Sequence, residues 1–227
     1  MEAVSWSGRP AAHVAPTKKG DHPPSLSIAA SIALGIGLAA AVGFRIFLPL
    51  LVAAIAAYTG HLHLDDNFAW LGSLTAITML GVAALVEVAA YYIPAVDNLL
   101  DTITTPLALV AGAVVSAAVI TDMPPLIKWS TAIIAGGGVA AVTQGVTTLV
   151  RAKSTAFTAG LGNPVVSTVE MFAAVIIALL ALVAPLAALA LVVAICWVTV
   201  LTVRKFLRVD RAAKQRARSS LPEEPAP

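Results

Sequence analysis

The chain has 227 residues, of which 59% are hydrophobic and only 11% are charged, and its mean hydropathy is +0.92. Soluble domains carry about 25% charged residues, so this composition excludes an ordinary soluble domain and indicates a helical membrane protein with several spans. The net charge of +2 is uninformative as a total, and the single cysteine, Cys196, excludes a disulfide within the chain.

Six apolar stretches follow a polar segment, residues 1–27, which is rich in Pro, Gly and Ser and is predicted to be disordered and cytoplasmic. Each stretch is predicted to be a transmembrane helix, because only a helix satisfies its own backbone polar groups in hydrocarbon. The predicted spans cover 28–58, 70–93, 104–121, 126–150, 164–183 and 186–206. A basic, solvated tail is expected over 207–227. The sequence therefore predicts an all-α, polytopic transmembrane bundle over 28–206.

The distribution of Lys and Arg predicts the orientation of this bundle. With six spans, both termini and the loop that carries Arg151 and Lys153 lie on one side, which then holds twelve basic residues. The other side holds one, Lys128. Basic loops stay cytoplasmic, so both termini are expected in the cytoplasm, with the basic C-terminal tail against anionic lipid headgroups.

A faint internal repeat relates the two halves of the chain. The stretch "GLAAAVGF" at Gly37 resembles "GVAAVTQG" at Gly138, and "LGSLTAIT" at Leu71 resembles "LGNPVVST" at Leu161. Units of three spans would enter the membrane in opposite directions, the 3+3 inverted plan of many transporters. The alternative is a chance alignment of helices rich in Ala, Val and Gly.

Three charged residues lie inside predicted spans and away from their ends: Arg45 in the first, Glu87 in the second and Glu170 in the fifth. A charge at the bilayer centre costs about 2.5–3.5 kcal/mol on insertion scales, so Arg45 is expected to pair with one or both carboxylates. Pro49 removes the backbone donor to the Arg45 carbonyl and predicts a kink. The pair either fixes helix register or lines a path for a ligand or ion.

Polar residues recur at helical spacing on both sides of the loop between the fourth and fifth spans. Asn163, Ser167 and Glu170 share one helix face, and Gln144, Thr148 and Arg151 share another. In "GLGNP", Asn163 is predicted to cap the fifth span, with Pro164 in its first turn. Free N–H groups at this helix start predict a binding site for an anion. Positive charge and donors for that site are expected from Arg151, Lys153, Ser154 and Thr155. Close approach of the backbone is expected at Gly160 and Gly162. A capped helix after a basic loop is the alternative.

Two segments with acidic residues are interpreted either as binding sites or as ordinary structural segments. Asp97 and Asp101 lie four residues apart before the third span, which Thr105 and Pro106 of "TITTP" are predicted to begin. With Glu87 they would bind a cation or relay protons, or they only stabilise helix N-termini. The stretch "HLHLDD" from His61 suggests a short exposed loop more than a metal site. No metal, cofactor or nucleic-acid pattern is found.

Three motifs in order carry a resemblance over about residues 28–183: "GFRIFLPLL", "EVAAYYIPAVDNLLDTITTPLALVAG" and "STAFTAGLGNPVVSTVE". They resemble the family known as domain of unknown function 4126, integral membrane proteins of bacteria with relatives in plants. The resemblance implies a place in the bacterial inner membrane and no assigned activity. The pattern marks Arg45, Pro49, Glu87, Pro94, Asp97, Asp101, Thr105, Pro106, Ser154, Thr155, Gly160, Gly162, Asn163, Pro164, Ser167 and Glu170. The chain departs from it at Tyr91, Tyr92 and Met171, where charged residues are frequent.

The favoured function is a small transporter or channel-like protein for a small ion or anionic solute. Its site is expected among Arg45, Glu87, Glu170 and the helix start at Asn163, and this predicts a solvated cavity that reaches the bilayer middle. A non-catalytic membrane-organising or partner-binding protein predicts acids neutralised by packing. An intramembrane enzyme acting on lipid, the least favoured, predicts two carboxyls at a lipid-facing cleft.

Overall fold

The computed structural model describes residues 27–219, except for the side chains of 94, 95, 97, 98, 202, 203 and 205–219. The described chain is helical throughout, as predicted, with short connections. Its helices are α1 Ile28–Val42, α2 Phe47–Tyr58, a 3-10 helix Asp66–Gly72, α3 Leu74–Ala90, α4 Pro94–Val119, α5 Pro125–Thr131, a π-helical turn Ala132–Gly137, α6 Gly138–Thr158, α7 Asn163–Val183 and α8 Pro185–Ser219. The predicted disordered segment 1–27 lies outside the described residues except for Ser27, as do the last eight residues of the tail.

The first apolar run is broken into two helices rather than kinked within one. α1 ends at Val42, and α2 begins only at Phe47. Pro49 therefore lies in the first turn of α2, where its missing N–H costs nothing because first-turn N–H groups have no partner within the helix. A side chain on Gly43 would place its Cβ 2.6 Å from the carbonyl oxygen of Ala140, so the break packs directly on α6.

Helix α1 is the centre of the bundle, with α4, α6, α7 and α8 packed around it. Small residues permit this packing, as at Gly37, where a Cβ would lie 2.8 Å from the Cβ of Ala181 on α7. At Gly35 the Ser116 hydroxyl donates a hydrogen bond of 2.9 Å to the glycine carbonyl. The broken run consequently places its break deep in the protein.

Three of the described helices are long and apolar enough to cross a membrane, namely 99–119, 125–158 and 163–183. The bent pair 66–72 and 74–90, which turns by 66°, would count as a fourth span. The other apolar helices are shorter: 28–42, 47–58 and 185–201. These helices are those of a membrane protein, whereas six spans, the inverted repeat and the orientation remain predictions.

The third predicted span begins earlier than its sequence suggested. Thr105 and Pro106 do not start a helix, because α4 runs through them from Pro94. The Thr105 hydroxyl instead donates to the carbonyl of Asp101 one turn earlier, at 2.8 Å. Asp101 is thus carried on the spanning helix itself and not on a separate short helix.

Candidate functional site

Four buried charged residues meet inside the bundle, and we call them the charged cluster: Arg45, Asp101, Arg151 and Glu170. They come from the α1–α2 break, α4, α6 and α7. Arg151 donates from Nε to Oε1 of Glu170 at 3.1 Å and makes a second, short bond from Nη2 to Oε2. Arg45 Nη2 lies 3.6 Å from the same Oε2, and Arg151 Nη1 lies 3.9 Å from Oδ1 of Asp101. Glu170 is therefore shared by two arginines.

Arg45 is held by more than its ion pair. Its Nη2 donates to the carbonyl of Ser167 at 3.0 Å and also to the Ser167 hydroxyl. The guanidinium carbons of Arg45 and Arg151 lie 3.9 and 4.0 Å from the ring centroid of Tyr91. Both distances allow cation–π attraction, which is stronger where water is excluded. Arg45 is only 1% exposed, yet its Nε and Nη1 have no hydrogen-bond partner among the described residues.

Glu87 does not neutralise Arg45 directly. Its Oε1 accepts the backbone N–H of Ile46 at 2.8 Å, and its Oε2 accepts that of Phe47 at 3.0 Å. Glu87 is thus an anionic cap for α2, whose own preceding residue, Ile46, has no capping side chain. A carboxylate is favoured there because the first N–H groups of a helix carry partial positive charge. The sequence does not predict this capping role, because it predicts one kinked span where the structure has two helices.

The two sets of polar residues at helical spacing, which we call the polar stripes, meet through Arg151 of α6 and Glu170 of α7. Asn163, Ser167 and Glu170 are all buried on α7, and Arg151 of the facing stripe reaches Glu170. Gln144, about two turns before Arg151 on α6, donates from Nε2 to the Thr104 hydroxyl at 3.0 Å. The stripes are therefore a polar contact between α6 and α7 that extends to α4.

The start of α7 does not offer the free N–H groups that the anion-site prediction needs. The N–H of Asn163 donates to Gly160, those of Val165 and Val166 both donate to Gly162, and Pro164 has none. The helix begins at Asn163, one residue earlier than expected, and the Asn163 side chain does not cap it. Its Nδ2 donates instead to the Thr155 hydroxyl at 3.0 Å. The donors proposed for an anion are already used by the loop.

The two glycines of this loop lie in a tight turn, and their role in binding a ligand stays a prediction. Gly160 has φ +88°, a left-handed conformation that glycine adopts without steric cost. A Cβ on Gly162 would lie 2.6 Å from the hydroxyl of Ser154, so the space beside it is filled by α6. Lys153 is exposed. The side chain of Asp97 is outside the described residues.

The loop that contains His61 and His63 is connected to α5 by an ion pair between Asp65 and Lys128. Asp65 accepts a bond of 2.7 Å from the ammonium of Lys128 and hydrogen bonds from Asn67. Partial burial alone would raise the pKa of the Asp65 carboxyl, but these bonds outweigh it and lower the pKa. His61 contacts the Thr59 hydroxyl at 3.0 Å. Among the described residues no group of three His, Cys, Asp or Glu side chains is placed to hold a metal.

The family model for the domain of unknown function 4126 (DUF4126) matches residues 32–205. The chain belongs to the DUF4126 family. This confirms the resemblance drawn from the three motifs. Comparisons with curated proteins and with solved structures gave no match.

Tyr91 and Thr104 belong to this DUF4126 site although the sequence singled out neither as a site residue. The Tyr91 hydroxyl lies 3.3 Å from that of Thr104, which also accepts from Gln144. Tyr91 stands four residues after Glu87, and this helical spacing was the available signal. Helical spacing alone does not predict the cation–π contacts of Tyr91, because its neutral ring is not an ion-pair partner for an arginine.

Among the described residues, the buried charged side chains of this part of the DUF4126 fold are two arginines, Arg45 and Arg151, and three carboxylates, Asp101, Glu170 and Glu87. Glu170 and Asp101 lie within 4.0 Å of an arginine nitrogen, whereas the Glu87 carboxylate accepts backbone N–H groups instead.

Proposed function

We propose that this DUF4126 protein is a small transporter or channel-like protein, and that a small ion or anionic solute passes the charged cluster. The observation that carries the proposal is the break between α1 and α2, which places Arg45 among charged groups from α4, α6 and α7. Broken helices with polar groups at their inner ends are typical of transporter sites.

The state of Arg45 supports an anionic or hydrogen-bond-accepting solute. Two of its guanidinium nitrogens are buried without an acceptor among the described residues. A buried donor without a partner costs about 1–3 kcal/mol, or more when charged. A solute that accepts from these nitrogens offsets that cost. Since every member of the cluster is buried here, passage requires a second conformation in which the break opens.

The test is solute flux into liposomes that contain the purified protein, with chloride, nitrate, acetate, phosphate, potassium, sodium and protons as probes. The parent should exceed protein-free liposomes for at least one of these, and Arg45→Gln should reduce that flux at least tenfold. Arg45→Lys should also fail, because lysine keeps the charge but loses the planar set of donors.

Lys128→Gln is the matched control, since Lys128 is also buried and ion-paired, at 2.7 Å from Asp65, but lies outside the charged cluster. It should leave flux unchanged. Flux by the parent no faster than protein-free liposomes for every probe, or equal flux by the parent and Arg45→Gln, overturns the proposal. That result would favour a partner-binding protein, for which the engagement of both arginines by carboxylates is the supporting observation.

A further inference from the structure

Helix α4 measures depth within the bundle, because contacts along it mark two levels. Thr104 accepts from Gln144 close to the charged cluster, and the Ala118 carbonyl accepts the N–H of Asp65 at 2.8 Å. At 1.5 Å of rise per residue, Thr104 and Ala118 are about 21 Å apart along the helix axis. We call the end of the bundle that holds Asp65 the Asp65 face. We call the end that holds the turn between α6 and α7 the Lys153 face.

Helix α1 runs from the Asp65 face toward the cluster. A Cβ on Gly35 would lie 3.2 Å from the Cα of Ser116, in the last turn of α4. Just after α1, a Cβ on Gly43 would lie 3.1 Å from the backbone nitrogen of Gln144, which is at the level of the cluster. Ser27, which caps the start of α1, is therefore on the Asp65 face.

Helix α2 begins at the break, at the depth of the cluster, and runs back toward the Asp65 face. Near its end the Ala56 carbonyl accepts the N–H of Leu62 at 3.1 Å, and Asp65 follows three residues later. Three residues span at most about 11 Å. That distance and the two hydrogen bonds together do not cover the roughly 21 Å from Ala118 back to the depth of Thr104. A helix that continued in the direction of α1, or stayed at the depth of the cluster, could not meet this restraint.

The next helices alternate between the two faces. α3 leads from the Asp65 face to Glu87, whose carboxylate binds the break. α4 returns to Ala118. α5 and α6 together then lead from Lys128, which lies 2.7 Å from Asp65, to Lys153.

The last two helices continue the alternation. A Cβ on Gly37 would lie 2.8 Å from the Cβ of Ala181 and 3.2 Å from that of Ala188. Since Gly37 is in the half of α1 near the Asp65 face, α7 ends and α8 begins there. Val192 and Cys196 pack along the same core, so α8 runs toward the Lys153 face. In the described part of the chain, five helical segments thus connect the two faces after α2: α3, α4, α5 with α6, α7 and α8.

We propose that α1 and α2 form a re-entrant hairpin, whose two ends lie on the Asp65 face and whose tip, residues 43–46, holds Arg45 against the charged cluster. The two helices have 15 and 12 residues and rise about 22 and 18 Å, which is less than the roughly 30 Å of hydrocarbon that a spanning helix crosses. Irregular backbone at this depth must be covered by protein. The tip meets that condition because it packs on α6 and because Glu87 caps the start of α2.

The hairpin places the two ends of the chain on opposite faces. Segment 1–27 leads into α1 on the Asp65 face, whereas the tail 207–227 follows α8 on the Lys153 face. The six-span prediction puts both in the cytoplasm. Moving the three basic residues of segment 1–27 leaves nine Lys and Arg on the Lys153 face and four on the Asp65 face. The Lys153 face therefore stays cytoplasmic, and segment 1–27 is outside.

The test compares the faces from which three single cysteines react in the full-length protein. Ser27, His63 and Lys153 are all exposed, and each is replaced by cysteine in a Cys196→Ser background. Sealed right-side-out and inside-out membrane vesicles are treated with a membrane-impermeant maleimide. Ser27→Cys should react from the same face as His63→Cys, because no span separates the two positions. Lys153→Cys should react from the opposite face.

A second measurement covers the case in which Ser27→Cys, at a helix start, reacts too slowly to assign. An epitope tag is fused before Met1 or, in a separate chain as the matched control, after Pro227, and protease is added to the same vesicles. The first tag should be removed only from right-side-out vesicles and the second only from inside-out vesicles. The proposal is overturned if Ser27→Cys reacts from the face of Lys153→Cys or from both faces, or if both tags are removed from one face. Neither measurement involves solute flux, so this proposal and the transport proposal fail independently.

Discussion

Glu170 is expected to be the electrostatic centre of the charged cluster, so Glu170→Gln should be among the most destabilising conservative changes in the chain. Its Oε2 lies 3.6 Å from Arg45 Nη2, which at an effective dielectric constant near 20 corresponds to about 5 kcal/mol of attraction. Its Oε1 accepts from Arg151 Nε at 3.1 Å. Because desolvation offsets much of this, we expect a net loss of about 3–5 kcal/mol, as for other broken buried pairs.

Double-mutant cycles separate the partners of Glu170. The variants are Arg45→Met, Arg151→Met, Glu170→Gln and Glu87→Gln, and the unfolding free energy is measured in micelles titrated with dodecyl sulfate. Tryptophan fluorescence reports unfolding, since the chain has four tryptophans. The coupling energy should be largest for Arg151 with Glu170, which share two hydrogen bonds. It should be smaller for Arg45 with Glu170, and within about 0.5 kcal/mol of zero for Arg45 with Glu87.

The cycles also show what would refute this account of the cluster. A coupling between Arg45 and Glu87 that exceeds the coupling between Arg45 and Glu170 would mean that the cap on α2 is not the main role of Glu87. Additive effects of Arg151→Met and Glu170→Gln would mean that their bidentate contact contributes no net stability. Either result would require a different assignment of charges within the bundle.

Three further predictions concern the membrane orientation, the Asp65–Lys128 ion pair and the hydrogen bond between Asn163 and Thr155. In a cysteine-free background, a cysteine at His63 should be labelled from outside intact cells and one at Lys153 only after permeabilisation; labelling of position 153 from outside would reverse the predicted orientation. Asp65→Asn should lower stability at neutral pH by up to about 1 kcal/mol. Because folding lowers the pKa of this carboxyl, its contribution is present above its ordinary pKa and is lost on acidification, so the difference should shrink below about pH 4; a pH-independent difference would contradict this. Asn163→Ala and Thr155→Val should each lower the unfolding free energy, measured by heat or detergent, by about 1 kcal/mol. Both variants remove the same hydrogen bond between the two side chains, so their effects should not add, and full additivity would contradict this.

The sequence alone determined the class of the fold and several of its partners. Long apolar runs require helices in hydrocarbon, so the all-α bundle followed from the length and composition of these runs. The cost of a buried charge required a partner for Arg45, and helical spacing placed Ser167 and Glu170 on the face that supplies it. These inferences depend on local periodicity and on energies that hold in any packing arrangement.

Only the tertiary structure decided which groups meet. The break at Gly43–Ile46 depends on close packing against α6, and it created the helix start that takes Glu87 away from Arg45. The helix start at Asn163 was read correctly to within one residue, yet its donors are consumed by a turn whose bonds depend on backbone conformation. The Tyr91 ring contacts both arginines because the α1–α2 break and α6 meet at the end of α3. The spacing of Glu87 and Tyr91 places both on one helix face, but no spacing in the sequence indicates which distant residues that face contacts.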